Sequence, residues 1–154
     1  MRKFNFILIL SISIIFFLLN FQLAEAQNLK DVIKAFKKTE IVTKTSNSGK
    51  DFLAAYTDAK TEAEMYFDSS GKKNPKIVNS IKKICLAYDW AVSLWKLKQA
   101  RTPYIHQDDN LVQSIYKDFP DSKNALKGTI QLDEAINWMY FEAEKELRNL
   151  NKRK

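Results

Sequence analysis

Residues that make tight turns are scarce: the 154-residue chain has three glycines and three prolines. They fall mostly between apolar-periodic segments, the punctuation of helices joined by short turns, so the chain reads as all-α. The single cysteine, Cys85, excludes an internal disulfide and any paired-cysteine site for haem or zinc. Stability must therefore come from packing. Cys85 falls among Val78, Ile81 and Val92 on one helical face, where a thiol behaves as a small apolar group. The single histidine, His106, excludes sites that need two imidazoles. No glycine-rich phosphate loop occurs, and no Asn-x-Ser/Thr acceptor that would mark a glycosylated secretory protein. No metal or other cofactor is expected.

The long apolar run is confined to the N-terminus. Arg2 and Lys3 precede Phe6 to Leu19, which is apolar apart from Ser11 and Ser13, and Ala24-Glu25-Ala26 offers a small-x-small cleavage site. This reads as a cleaved signal peptide over residues 1–26. The run is shorter than the ~20 residues of a spanning helix, so no stable transmembrane segment is expected after processing. No cysteine lies near the cut to carry a lipid. The expected location is exported, periplasmic or extracellular.

Residues 27–154 then form one helical domain with 23 basic and 17 acidic residues. That size buries a real core without metal or disulfide support. A net positive charge outside the cytoplasm points toward an envelope protein or an anionic polymer as partner, and away from nucleic acid.

Periodicity divides the domain into about five helices, a four-helix-bundle-like arrangement with the third helix central. The first follows Asn28 with Leu29, Val32, Ile33 and Phe36 on one stripe, and is expected to fray over Ile41 to Thr45. Asp51 is the expected cap of a second, whose Phe52, Tyr56, Ala59, Ala63 and Tyr66 form one face. Asn74-Pro75 starts a third that reaches about Ala100. Its main stripe is Ile77, Ile81, Ile84, Tyr88, Val92 and Trp95, and Leu86, Trp90, Leu94 and Leu97 form a second. Such a helix needs cover on two sides. After a connector at 101–107, a short fourth helix runs through Leu111, Val112, Ile115 and Tyr116 to Phe119-Pro120. Asp121-Ser122 is the expected cap of one long last helix carrying Leu132, Ile136, Met139, Ala143, Leu147 and Leu150, with a basic, frayed tail at 148–154.

The junction Ile115-Tyr116-Lys117-Asp118-Phe119-Pro120-Asp121-Ser122 is similar to the turn between helices in many envelope tetratricopeptide proteins, where an aromatic-Pro-Asp-Ser step ends one helix and caps the next. The likeness covers eight residues and implies local turn chemistry only, because no repeat of about 34 residues accompanies it.

No constellation for catalysis emerges. His106 with Asp108 and Asp109 forms a candidate polar site, read chiefly as a turn with two helix caps. Asp89, Glu134 and Glu142 could pair only if the fold brought two together, and Asp89 reads as a solvated charge. The informative feature is apolar surplus on the third and last helices. It requires another layer, a partner or a ligand, and it nominates Trp90, Leu94, Leu97, Tyr104, Trp138 and Phe141 as a binding surface. Internal cover by the Tyr104-Ile105 connector or by the short helix is the competing explanation. The leading functional expectation is a non-catalytic interaction module for an envelope protein or polymer. A carrier of a small apolar or aromatic ligand between helices comes next, and a hydrolase last.

Overall fold

The computed structural model describes residues 27–46, 48–70, 74–100 and 102–152; the leader expected at 1–26 lies outside them. The described chain is mostly helical. α1 covers 27–45, α2 Gly49–Ser70 and α3 Pro75–Gln99. There follow β1 (Tyr104–His106), α4 (Asn110–Asp118), α5 (Ser122–Ala125), β2 (Thr129–Gln131) and α6 (Leu132–Asn151).

Local chemistry sets most of the boundaries. Asn74 accepts the Ile77 N–H through its side chain at 3.4 Å, and Pro75 occupies the first helical position, where its missing donor costs nothing. α2 begins two residues before the expected cap: the Ser48 hydroxyl accepts the Asp51 N–H at 3.3 Å. Asp51 instead lies in the first turn, accepting from the Ser46 hydroxyl at 2.8 Å. The β-branched run at the end of α1 stays helical through residue 45 rather than fraying. Thr43 and Thr45 donate their hydroxyls to the carbonyls of Glu40 and Ile41, which keeps these polar side chains satisfied within the helix.

The four long helices pack antiparallel in chain order. Thr39 donates to the Ala55 carbonyl at 3.1 Å between α1 and α2, and Lys38 meets Asp58 at 3.2 Å one turn away. Tyr56 on α2 reaches Asp89 on α3. Ser80 donates to Glu146 at 2.7 Å toward one end of the α3–α6 pair and Lys98 meets Asp133 at the other, with Trp95 donating to the Tyr140 hydroxyl at 2.7 Å between them. α3 is the shared member, as its two stripes imply.

Between these helices the core is an interlocked group of rings. Phe52 lies 4.9 Å from Tyr140 and 5.7 Å from Tyr88, while Tyr88 lies 5.3 Å from Tyr56 and 6.2 Å from Phe36. Each such ring, fully buried, contributes roughly 1.5–3 kcal/mol by its loss of apolar surface to water. Small residues complete the arrangement. Ala87 and Ala91 on α3 and Ala135 and Ala143 on α6 are fully buried, which lets helix axes approach closely.

Three further expectations are corrected. Leu94 has no solvent exposure and belongs to the core, because Ala87 and Ala91 centre the buried face on residues 87, 91 and 94 and leave Val92 and Trp95 at its edge. The segment after Ser122 is not one helix. α5 ends at Ala125, Gly128 turns the chain with φ of 66°, and β2 pairs antiparallel with β1 in the register Tyr104↔Gln131, Ile105↔Ile130, His106↔Thr129. A small two-stranded sheet therefore interrupts an otherwise helical fold. Finally, α6 continues through Asn151 with Leu150 buried, so the ordered helix takes in much of the segment expected to fray.

Candidate functional site

The rings of α3 and α6 at Tyr88 and Tyr140 meet α1 and α2, while the surplus residues Trp90 and Trp138 are covered by the end of α4 and the Phe119-Pro120 turn. That second cover is incomplete. Phe119, just past α4, meets the Trp138 ring edge to face at 5.9 Å, and Asp118 accepts the Trp90 indole N–H at 2.9 Å. The aromatic-Pro-Asp-Ser junction builds this cover: the Phe119 carbonyl accepts the Ser122 hydroxyl and backbone N–H, fixing the turn that carries Phe119 over Trp138. Tyr116 is buried and its hydroxyl donates to the Leu126 carbonyl, tying α4 to the loop after α5.

What remains open is a groove of about 410 Å³ between α3, the Phe119-Pro120 turn and α6. Its apolar surface comes from Leu86, Phe119, Pro120 and the half-buried Trp138. Its rim is charged with both signs. Lys83 and Lys145 face Asp118, Asp121, Glu142 and Glu146, and Lys145 pairs with Glu142 at 3.2 Å. An aromatic floor provides contact area with little lost side-chain entropy, and a mixed rim orients a ligand that carries both charges.

The nominated binding residues thus divide. Trp138 lines the groove and Trp90 stands beside it, half-buried, with its polar atom already engaged by Asp118. Leu97 is partly buried against the core. Tyr104 is 53% exposed on β1 and Phe141 52% exposed on α6, but neither lines the Trp138 groove. Phe119, Pro120, Lys83 and Lys145 are among the nine groove residues outside the nominated set, which contributes Trp138 alone. Phe119-Pro120 carried a signal in its turn motif, whereas the lysines had none, since charges at helix positions are usually solvated.

The polar candidates form a local turn. His106 on β1 lies 3.1 Å from the Asp108 carboxylate, both side chains more than half exposed. Asp109 accepts the Leu111 N–H at 2.8 Å as the cap of α4. Among the described residues, no base or nucleophile and no acid other than Asp108 hydrogen-bonds or ion-pairs with His106. Asp89, expected to be solvated, accepts from Tyr56 at 2.7 Å and pairs with Lys60 at 2.8 Å on the α2–α3 seam. Burial, followed by the Asp89 hydrogen bond, drives the Tyr56 hydroxyl pKa far upward, so it remains a neutral donor. Asp89 and Glu142 lie on different seams of the fold and form no pair.

Cys85 is partly buried and packed against the core. Desolvation, with the Asp89 charge adding to it, pushes its thiol up to about 12, which suppresses the thiolate form and its chemistry. Among the described residues, no group of three or more His, Cys, Asp or Glu side chains could hold a metal ion. No helix among them is long and apolar enough to cross a membrane. No family model, curated protein or solved structure matches the chain.

Proposed function

We propose that this protein is an exported, four-helix-bundle-like interaction module, without catalytic activity, that captures a short segment of an envelope protein in the Trp138 groove. The observation that carries the reading is the half-buried Trp138 facing an open groove with Phe119 and Leu86, ringed by lysines and carboxylates together. A polypeptide segment carries apolar side chains and charges of both signs. A uniformly anionic polymer would meet the four rim carboxylates Asp118, Asp121, Glu142 and Glu146 unfavourably, so the protein partner is the better fit at this groove.

The carrier reading is weaker because Phe36, Phe52, Tyr56, Tyr88 and Tyr140 fill the space between the long helices where a ligand would sit. The hydrolase reading has only the His106–Asp108 turn behind it.

The test replaces Phe119 with a photo-crosslinking phenylalanine in the chain expressed in its own cells, with the exposed Met65 on α2 as a second labelling site. A discrete adduct is expected from position 119 and not from 65. Trp138→Ala should remove that adduct while helicity, read by circular dichroism, is unchanged. An adduct that survives Trp138→Ala undiminished refutes the groove as the capture site.

A further inference from the structure

The groove accounts for one face of the molecule and leaves the outer face of α1 without a role. There, Lys30, Lys34, Lys37 and Ile41 follow one another at spacings of four, three and four, which places them on one line along the helix. The line is about 16 Å long at the rise of an α-helix. Its opposite side carries Val32, Ile33, Phe36 and Thr39, all buried, so the four residues of the line point away from the core.

The charges on this line are uncompensated. Lys38 turns aside to Asp58, and Lys44 to Glu40 and Glu144. Among the described residues Lys30, Lys34 and Lys37 enter no ion pair. A shallow groove of about 920 Å³ runs beside them toward α2. Of the acids on it, Asp58 is held by Lys38; Asp31, which accepts from the neutral Gln27, and Glu62 on the far bank keep their charges, two against the three lysines. Among the cations Ile41 is 61% exposed, the most exposed large apolar side chain among the described residues.

We infer that this stripe seats the protein on an anionic phospholipid surface, with Lys30, Lys34 and Lys37 at the headgroup phosphates and Ile41 entering the acyl boundary. Lysines alone would serve any polyanion. The exposed isoleucine in line with them separates the cases, because a bilayer has an apolar layer directly beneath its charged one and a soluble polymer does not. The surface is distinct from the Trp138 groove, so a lipid-seated molecule would still present that groove to a protein partner.

The experiment uses the full chain carrying Cys85→Ala, with Ile41→Cys or, separately, Met65→Cys labelled by an environment-sensitive fluorophore. Vesicles of phosphatidylcholine with or without phosphatidylglycerol are added. The label at position 41 should shift to the blue with the anionic vesicles only, and the label at 65 should not shift. Changing Lys30, Lys34 and Lys37 together to Gln should raise the lipid needed for half the shift roughly tenfold or more, since each lysine contributes separately at low salt. An unshifted label at 41, equal shifts at 41 and 65, or indifference to the triple change would overturn the assignment. So would tight binding of dextran sulfate, weakened by the triple change and unaffected by Ile41→Ser, in a chain that gives no vesicle shift: the stripe would then read a polymer.

Discussion

The two sides of the α3–α6 pair use the same residue types to opposite ends. Toward α1 and α2, the rings of Phe36, Phe52, Tyr56, Tyr88 and Tyr140 touch one another, and helices of 22 and 25 residues meet along their length. Toward α4, only the end of a nine-residue helix and the Phe119-Pro120 turn reach Trp90 and Trp138, and both tryptophans stay half open. Long helices can bury a whole line of rings between them. Short ones leave gaps at their ends, and here the gap over Trp138 is an open groove. The difference between core and site therefore lies in the length of what covers the rings.

If that holds, truncating a ring on one side should unfold the protein, and on the other should only blunt the groove. Phe52→Ala removes a ring that contacts Tyr56, Tyr88 and Tyr140 and should cost about 3–5 kcal/mol in urea unfolding. Trp138→Ala should cost clearly less, because part of its surface already meets water. Equal losses would erase the distinction.

Gly49 tests the tightness of the first side without removing anything. A Cβ added there would lie 2.8 Å from Trp95 Cε3 and 2.9 Å from Cδ2, closer than carbon atoms settle. Alanine favours helices over glycine, yet Gly49→Ala should destabilise by about 1–3 kcal/mol through overpacking. The Trp95 indole also donates to Tyr140, so its fluorescence should change with the stability. A neutral or stabilising substitution would mean that this end of the seam is looser than the distances imply.

On the second side, Tyr116→Phe deletes the hydrogen bond from a buried hydroxyl to the Leu126 carbonyl. The carbonyl left without its donor should cost about 1–2 kcal/mol. The loss should be local: amide exchange should quicken over α4, α5 and the loop at 126–128, with α1 and α2 unaffected. Quickening spread evenly over all helices would show the short cover and the long bundle to be one cooperative unit.

These contrasts were unevenly legible in the sequence. α2 and the start of α3 were readable because Phe52, Tyr56, Ala59, Ala63 and Tyr66 keep one period, and because Asn74-Pro75 is an unambiguous helix start. The buried face of α3 is hard to read from its large residues because its centre is marked by small ones: Ala87 and Ala91 are fully buried, and Leu94 follows them inward. The break before β2 was hidden because Leu126 and Ile130 continue a helix-compatible spacing. Gly128, at a positive φ, was the one local mark of it. The groove was half visible, through the Trp138 surplus and the Phe119-Pro120 turn, but the meeting of the two is a tertiary contact that no local pattern encodes.

The mildest expected effect concerns the seam between α1 and α6. Lys44 pairs with Glu40 at 2.6 Å and with Glu144 at 3.0 Å, and Arg148 holds Glu144 from the next turn at 2.9 Å. The Lys44 hydrogen bond depresses the Glu144 pKa below its ordinary value near 4.5. A carboxylate depressed in the folded state stabilises fully above its unfolded pKa, and the contribution fades as pH falls through the lower folded value. Acidification from pH 6 to below about 4 should therefore loosen the end of α1 near Lys44 before the ring-filled centre at Phe36. Glu144→Gln should remove that pH dependence, since a neutral amide has no proton to gain in this range. Because Phe36 sits against Tyr88 by apolar contact alone, the two halves of α1 should part company in hydrogen exchange at low pH. Uniform protection along α1 well below pH 4 would show that ring packing, not the ion pairs, holds the whole helix in the bundle.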